Sequence, residues 1–376
     1  MKVLINGGGI AGLTAAIALI KSGFSVTIFE SAPQITAAGA GLVIQPNALK
    51  ALEYFGIADQ FIESANPIDQ LAILNQRGRV IKEQRPSARF REQFTGFAIH
   101  RQTLHGLLQS FLPNDIYRTG RKAVSFSQTE NSVSLRFDDG TEQEGDYLIS
   151  ADGIHSPIRM QLLPESKPRY AGYLCWRSVI SNADLKIKEA TETWGSRGRF
   201  GIVPVNGNRL YWFAVINSSQ YDVRMKHVTV RGLRDHFADY HPLIGHVLDV
   251  SSDSEMLMNS ICDILPLSRF AFGRVLLIGD AAHATTPNLG QGACQAIEDV
   301  MVLHQEIASG RELHDAFSSF EKRRIKKAAY IIDTSRRLGQ IAQADNKLLI
   351  PLRNFALKCI PEFVTRRQFQ KIYHIA

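Results

Sequence analysis

Residues 279–293, GDAAHATTPNLGQGA, place one carboxylate, one imidazole, one proline and three glycines directly after the apolar run RVLLI. Asp280 can accept hydrogen bonds or take a proton, and His283 can donate or accept one. Gly279, Gly290 and Gly292 allow turns that bring main-chain N–H groups close to a ligand. A hydrolase loop, a metal turn and a cofactor turn all remain open on these residues alone. A second set sits in DYLISADGIHSPIR (146–159), where Asp152, Gly153 and Arg159 follow another apolar run. The third opens the chain: Gly7, Gly9 and Gly12 form G-x-G-x-x-G, and Glu30 ends the apolar run VTIFE about twenty residues on.

The elements around this third set give it a physical meaning. KVLIN predicts a strand, IAGLTAAIALIKSG a small-residue helix that stops at Gly23, and SVTIFE a second strand, which together make a βαβ unit. Gly7 permits the tight turn, Gly9 lets the backbone approach a pyrophosphate, and Gly12 lets helix and strand pack closely. The helix N-terminus offers unpaired N–H groups to the anion. Glu30 can accept from ribose hydroxyls and would repel a 2′-phosphate, so the unit points to FAD or NAD over NADP.

The three motifs in this order, spread over about the first 300 residues, resemble the single-component FAD-dependent aromatic hydroxylases of the p-hydroxybenzoate hydroxylase superfamily. The chain is most similar to the branch holding salicylate hydroxylases, urate hydroxylases and zeaxanthin epoxidases. The resemblance implies FAD bound in an extended site, with Gly7, Gly9, Ala11, Gly12, Glu30 and Ser31 at its adenosine and pyrophosphate end. Asp280 would hold a ribityl hydroxyl, and the backbone of Gly290, Gln291, Gly292, Ala293 and Cys294 would run along the flavin. Arg101 in FAIHRQTLHGLL, Val124, Asp152 and Pro287 match further cofactor positions, and Gly39 to Val43, with Gly41, matches the loop that passes the flavin. An acid accepts from polyol hydroxyls, and glycine-flanked N–H groups can stabilise charge at the flavin N1–C2=O edge, so the chemistry agrees with the resemblance. His283 and Asp152 read as scaffold, and Cys294 as a packed thiol.

Between the second and third motifs the pattern changes to alternating strands, YLCWRSVI, RFGIVPV and RLYWFAVI. RFGIVPVNGNRLYWFAVI predicts a hairpin around Asn-Gly. A two-residue loop would put Arg199 and Tyr211 on opposite faces, and a three-residue loop, Asn206 to Asn208, on one face. The urate hydroxylase members place an arginine and a tyrosine at these matching positions against substrate, which favours the three-residue loop and makes Arg199 and Tyr211 substrate-positioning candidates. Trp176 and Trp212 read as core. LAILNQRGRVIKEQ, within 72–96, reads as a strand pair joining the same sheet.

The predicted fold is therefore α/β. A Rossmann-like FAD-binding domain (1–71, 97–170, 270–330) interleaves with a mixed β-sheet substrate domain (72–96, 171–269), and a C-terminal helical region (331–376) follows. In that region Leu352, Phe355, Ala356 and Cys359 share one helical face up to Pro361, and the stripe is expected to pack beneath a solvated cationic face.

Composition limits the rest. The net charge of +7 comes from the tail, since from Glu321 onward thirteen Lys/Arg stand against four Asp/Glu. This excludes a broadly basic, nucleic-acid-binding surface and leaves a weak peripheral membrane contact open. Cys175, Cys262, Cys294 and Cys359 show neither metal spacing nor a disulfide framework, so no metal is expected and a cytoplasmic location fits. No basic n-region with an apolar core opens the sequence, and no run of about 18 apolar residues crosses a membrane.

The resemblance implies an NAD(P)H-dependent FAD monooxygenase that hydroxylates an aromatic or heteroaromatic small molecule with O2 through a flavin C4a-hydroperoxide. With no second glycine motif, NADH or NADPH would bind transiently, to a monomer or homodimer. Two other readings stay open: an isoprenoid epoxidase or quinone hydroxylase at a membrane surface, and a flavin-binding sensor or partner protein without turnover.

Overall fold

The computed structural model describes residues 1–34, 40–84, 95–220 and 222–375. Gly39 and residues 85–94, which the sequence reading assigned to the flavin loop and the strand-pair segment, lie outside them.

The opening βαβ unit forms as its pattern predicts, with strands Lys2–Asn6 and Ser25–Phe29 around the helix Ile10–Lys21. The two strands pair in parallel, and Ile5 sits opposite both Ile28 and Ile149. Tyr147–Ser150, which leads into Asp152, lies on the other side of Lys2–Asn6, and Val275–Leu277, which leads into Asp280, lies beside Tyr147–Ser150. Side-by-side parallel strands bring their C-terminal ends to one edge, so all three motifs emerge together there. These strands are almost wholly buried, as expected for parallel strands covered on both faces.

A seven-stranded sheet carries the second half of the site. In spatial order it runs Leu257–Asp263, Arg169–Ser181, Arg209–Asn217, Gly198–Val205, Ala190–Gly195, Leu71–Asn75 and Val80–Gln84. The pair 71–75 and 80–84 does join this sheet. The hairpin closes through three residues: Val205 pairs with Arg209, Val203 with Tyr211, and Gly207 and Asn208 turn at φ 69° and 54°. Arg199 and Tyr211 therefore share a face.

The two faces of the hairpin have different tasks. Phe200, Ile202, Trp212 and Ala214 point into an apolar core closed by the helices Val230–His236 and Pro242–Asp249. Phe200 stacks on Trp212 at 5.5 Å, and the Trp212 indole N–H donates to Ser251 Oγ at 2.9 Å. Trp176 is buried in the same core, so both tryptophans are structural. Arg199, Val203, Tyr211, Phe213 and Val215 take the opposite face, toward the glycine motifs.

Three helices end the chain: Leu313–Ala342, Leu349–Cys359 and Glu362–Tyr373, the last two separated at Pro361 as proline chemistry requires. The apolar stripe on Leu349–Cys359 departs from expectation. Leu352, Phe355 and Cys359 are exposed, because the helix turns Arg353 and Leu357 inward instead.

Candidate active site

One continuous cavity of about 1440 Å³ runs from the βαβ glycines to the inner face of the seven-stranded sheet. Single small-molecule pockets usually span about 300–1,000 Å³, so this cavity has room for a dinucleotide and a second molecule. Most of the predicted site residues line it: Gly7, Gly9, Ala11, Glu30, Ser31, Gly41, Val43, Arg101, Val124, Asp152, Asp280, Pro287, Gly290, Gly292, Ala293, Arg199 and Tyr211. Gly12, Gln291 and Cys294 are not among the residues that line it.

The three motif glycines occupy three different environments. Gly7 sits at φ 107°, where an added Cβ would also strike the Ala151 carbonyl. A Cβ on Gly12 would run into the Gly7 carbonyl oxygen, so Gly12 serves helix–strand packing. A Cβ on Gly9 would meet only open space, at the N-terminus of a helix whose first residues, Ile10 and Ala11, line the cavity and whose first N–H groups have no partner within the helix. That space, beside those donors, fits a pyrophosphate.

Glu30 is oriented by two main-chain donors, Gly8 N and Ala32 N, each 2.8 Å from one of its oxygens. The Gly8 carbonyl accepts from Tyr117 Oη at 3.0 Å and from His105 Nε2 at 2.7 Å. A carbonyl only accepts, so His105 carries its proton on Nε2. Sequence reasoning missed both residues. His105 lies in the segment quoted for Arg101, but nothing in its spacing shows that its ring reaches back across the helix pair to residue 8.

The second and third motifs are bolted together by Arg159. Its buried guanidinium donates to the Ala281 carbonyl at 3.3 Å, to Ser166 and to the Ile154 carbonyl, and so ties the Asp152–Gly153 turn to the short helix Asp280–His283. Asp152 accepts from Asn6 Nδ2 at 2.8 Å and from Ser150, while burial pushes its carboxyl upward. These contacts fix the carboxylate within its turn. Asp280 differs: it is exposed within the cavity and accepts no hydrogen bond from a described residue, so its oxygens are available to polyol hydroxyls. An open carboxylate, an open glycine cradle and helix N-termini are the donor and acceptor set that FAD requires.

His283 is removed from chemistry by its own contacts. Buried, it meets Asp299 Oδ2 at 2.6 Å, and that carboxylate also accepts from Gly279 N at 2.9 Å and Arg324 Nε at 2.7 Å. Burial opposes the Asp299 charge, but His283 and Arg324 win and hold its carboxyl at about 2. Arg324 also pairs with Glu298, which Lys327 and Asn47 Nδ2 reach as well. Gln291 points into this network: its amide donates to Gln45 Oε1 at 2.7 Å, and its Oε1 accepts from Gln295 Nε2 at 2.7 Å. Only the Gln291 backbone is therefore available to a cofactor. Cys294 is packed beside it, accepting from Gln45 N at 3.3 Å, and burial pushes its thiol up to about 12.

Arg199 and Tyr211 both reach the cavity, but their contacts differ from a free substrate pair. Arg199 donates to Gln343 Oε1 at 2.7 Å, Glu192 Oε1 at 3.0 Å and Asn288 Oδ1 at 2.8 Å, which locks the hairpin to the turn Pro287–Leu289 and to the end of the long helix. Tyr211 presses its ring on Gly41, where a Cβ would come within 2.5 Å of the ring, and burial raises its phenol. Among the described residues no three ligating side chains gather around a metal position.

A largely parallel sheet of the nucleotide-binding kind, whose glycine-lined cavity continues onto a mostly antiparallel sheet with an apolar inner face, defines a flavoprotein. The FAD binding domain family matches residues 1–333, and the chain belongs to it. FAD is its cofactor and it is an oxidoreductase, of the FAD-dependent aromatic and heteroaromatic hydroxylase type. The chain is 36% identical to the aurachin C monooxygenase/isomerase of Stigmatella aurantiaca, over 92% of this chain and 91% of that protein. It is 28% identical to the 2-heptyl-3-hydroxy-4(1H)-quinolone synthase of Pseudomonas aeruginosa, over 99% and 98% of the two chains. Klebsiella pneumoniae HpxO, solved with FAD and uric acid, superposes with a TM-score of 0.90 at 26% identity, covering 99% of this chain and 96% of its own.

Proposed function

We propose that this chain is an NAD(P)H-dependent monooxygenase that adds one oxygen atom from O2 to an electron-rich carbon of a bicyclic heteroaromatic ring of the quinolone type. The observation that carries the reading is the continuity of the cavity. Its glycine- and acid-lined arm leads without a wall onto the sheet face of Val203, Tyr211, Phe213 and Val215. A flat apolar ring suits that face, and the relative named for a 4(1H)-quinolone spans nearly the whole chain. One oxygen atom enters the product and the other leaves as water, with two electrons from NADH or NADPH.

When bound, FAD supplies hydride acceptance and activation of O2, chemistry that no side chain here could perform alone. The protein's part is positioning. Glu30 and Ser31 would take the adenosine ribose, the N–H groups after Gly9 the pyrophosphate, and Asp280 a ribityl hydroxyl. The N–H groups of Gly292 and Ala293, at the start of the helix Gly292–Ala308, would face the flavin pyrimidine edge, where the helix dipole favours negative charge. Arg101 and Val124 would flank the cofactor chain, and Pro287 the ring. Tyr211 would present its ring edge to substrate, with Arg199 holding that strand in place.

The test is a screen of 4-quinolones, aromatic acids and purines for stimulated NAD(P)H oxidation with a product heavier by one oxygen. Stimulation by quinolones alone supports the ring assignment, and coupling only to aromatic acids or purines overturns it. Asp280→Ala should weaken FAD retention at least about tenfold, the loss of one charge-assisted hydrogen bond. Unaltered retention would remove Asp280 from the site.

A further inference from the structure

The C-terminal helices carry an apolar surface that lies exposed among the described residues. Leu348 is 86% exposed, Leu352 65%, Phe355 66% and Phe363 70%. Leu348, Leu352, Phe355 and Cys359 follow helical spacing, so they form one stripe. The same helices are firmly seated on their other side. Arg353 donates to the Ala342 and Ala344 carbonyls at 3.0 and 3.2 Å and lies over the Trp194 ring at 5.3 Å. Lys82 Nζ donates to the Ile360 carbonyl and to Thr365 Oγ1, both at 3.1 Å. The stripe is thus exposed because the fold orients it outward.

We propose that this face docks on an anionic phospholipid bilayer surface. Charge selects that occupant. Residues 347–375 carry Lys347, Arg353, Lys358, Arg366, Arg367 and Lys371 against one acid, Glu362; Arg353 is buried and Arg366 and Glu362 line the cavity, which leaves Lys347, Lys358, Arg367 and Lys371 exposed outside it. Lys358 lies one turn beyond Phe355, where its stem can lie along the apolar surface while its ammonium reaches headgroup phosphates. A second copy of the chain is a poor occupant, since a two-fold interface would set this basic face against itself. No helix among the described residues is long and apolar enough to cross a membrane, so the contact is peripheral.

The position of the face gives the docking a use, and this part rests on the substrate reading above. Leu357, Ile360, Phe369 and Ile372 line the cavity from the inner side of these two helices. Ile360 is both exposed and cavity-lining, so the lipid-facing stripe and the substrate arm are two sides of one thin wall. A ring substrate with an apolar substituent, dissolved in the bilayer, would meet the enzyme at that wall.

The holoenzyme should sediment with vesicles of phosphatidylglycerol and phosphatidylcholine at low salt, and much less with phosphatidylcholine alone. Each basic residue near an anionic surface multiplies binding by about fivefold, so Lys358→Glu with Arg367→Glu should lower partitioning by more than about 25-fold. Leu352→Glu with Phe355→Glu, both on the exposed side, should stay in the supernatant while keeping the yellow flavin, the unfolding midpoint and NAD(P)H oxidation with soluble substrate. Wild-type protein left in the supernatant with anionic vesicles overturns the proposal. So does a wild-type dimer that Phe355→Glu converts to monomer, because a second copy then covers the stripe. Turnover without vesicle binding refutes the docking alone, and vesicle binding without turnover refutes the oxygenation reading alone.

Discussion

Gly9→Ser should raise the stability of the flavin-free protein and lower its affinity for FAD, two effects of opposite sign from one hydroxymethyl group. Gly9 is the residue that caps the helix Ile10–Lys21, at φ −75° and ψ −172°, a conformation that serine adopts without strain. Its Cβ would meet no atom within 4 Å. Serine is a good cap, and replacing glycine at a compatible position narrows the unfolded ensemble, so the gain should be about 0.5–1 kcal/mol. The new hydroxyl would accept from the N–H of Ala11 or Gly12, donors that a pyrophosphate needs, and the side chain would fill the approach. Losing one charge-assisted bond costs about 1.5–3 kcal/mol, which raises the FAD dissociation constant about 10- to 150-fold. Urea unfolding of the stripped protein measures the first effect and quenching of FAD fluorescence on titration the second. A dissociation constant within threefold of wild type would show that no phosphate comes near Gly9, and a loss of stability above about 1 kcal/mol would show that its surroundings are not open.

Arg324→Met should cost about 3–5 kcal/mol in urea unfolding, because it takes from Glu298 and Asp299, both at zero exposure, the guanidinium that pairs with each, and a cost under about 1 kcal/mol would contradict the buried network. Asp299, held at about 2 against an ordinary 3.8, contributes stability that is complete above pH 3.8 and lost as pH falls through about 2. That share is about 2 kcal/mol, so in Asp299→Asn the urea midpoint should fall less steeply between pH 4 and 2, and an unchanged slope would refute the assignment.

The parts legible in the sequence were those set by local backbone chemistry. Gly7, Gly12 and the Asn206–Asn208 turn need positive φ or a missing Cβ, constraints that only a few residue types meet, so their positions announce themselves. Strand alternation tied the faces of Arg199 and Tyr211 to the loop length, and the three-residue loop that the resemblance favoured puts both on one face. What stayed hidden was set by partners distant in sequence. Nothing near Arg199 indicates that Gln343 and Asn288 will hold its guanidinium, and nothing near residue 8 points to His105 and Tyr117. The outward stripe on Leu349–Cys359 failed for the same reason: periodicity reveals an apolar face, but the partner that would cover it is not written in the helix.

The order of the strands also dictates when this molecule can fold during synthesis. Leu71–Asn75 has its parallel partner in Ala190–Gly195, and Lys2–Asn6 waits for Tyr147–Ser150, which in turn waits for Val275–Leu277. Pairings this remote must close long loops before they repay any of that entropy, so folding is slow and non-local. A nascent chain of about 200 residues would carry the apolar strand Tyr147–Ser150 without its last neighbour. Until the GDAAH turn leaves the ribosome, that strand remains an open edge for other chains to pair with.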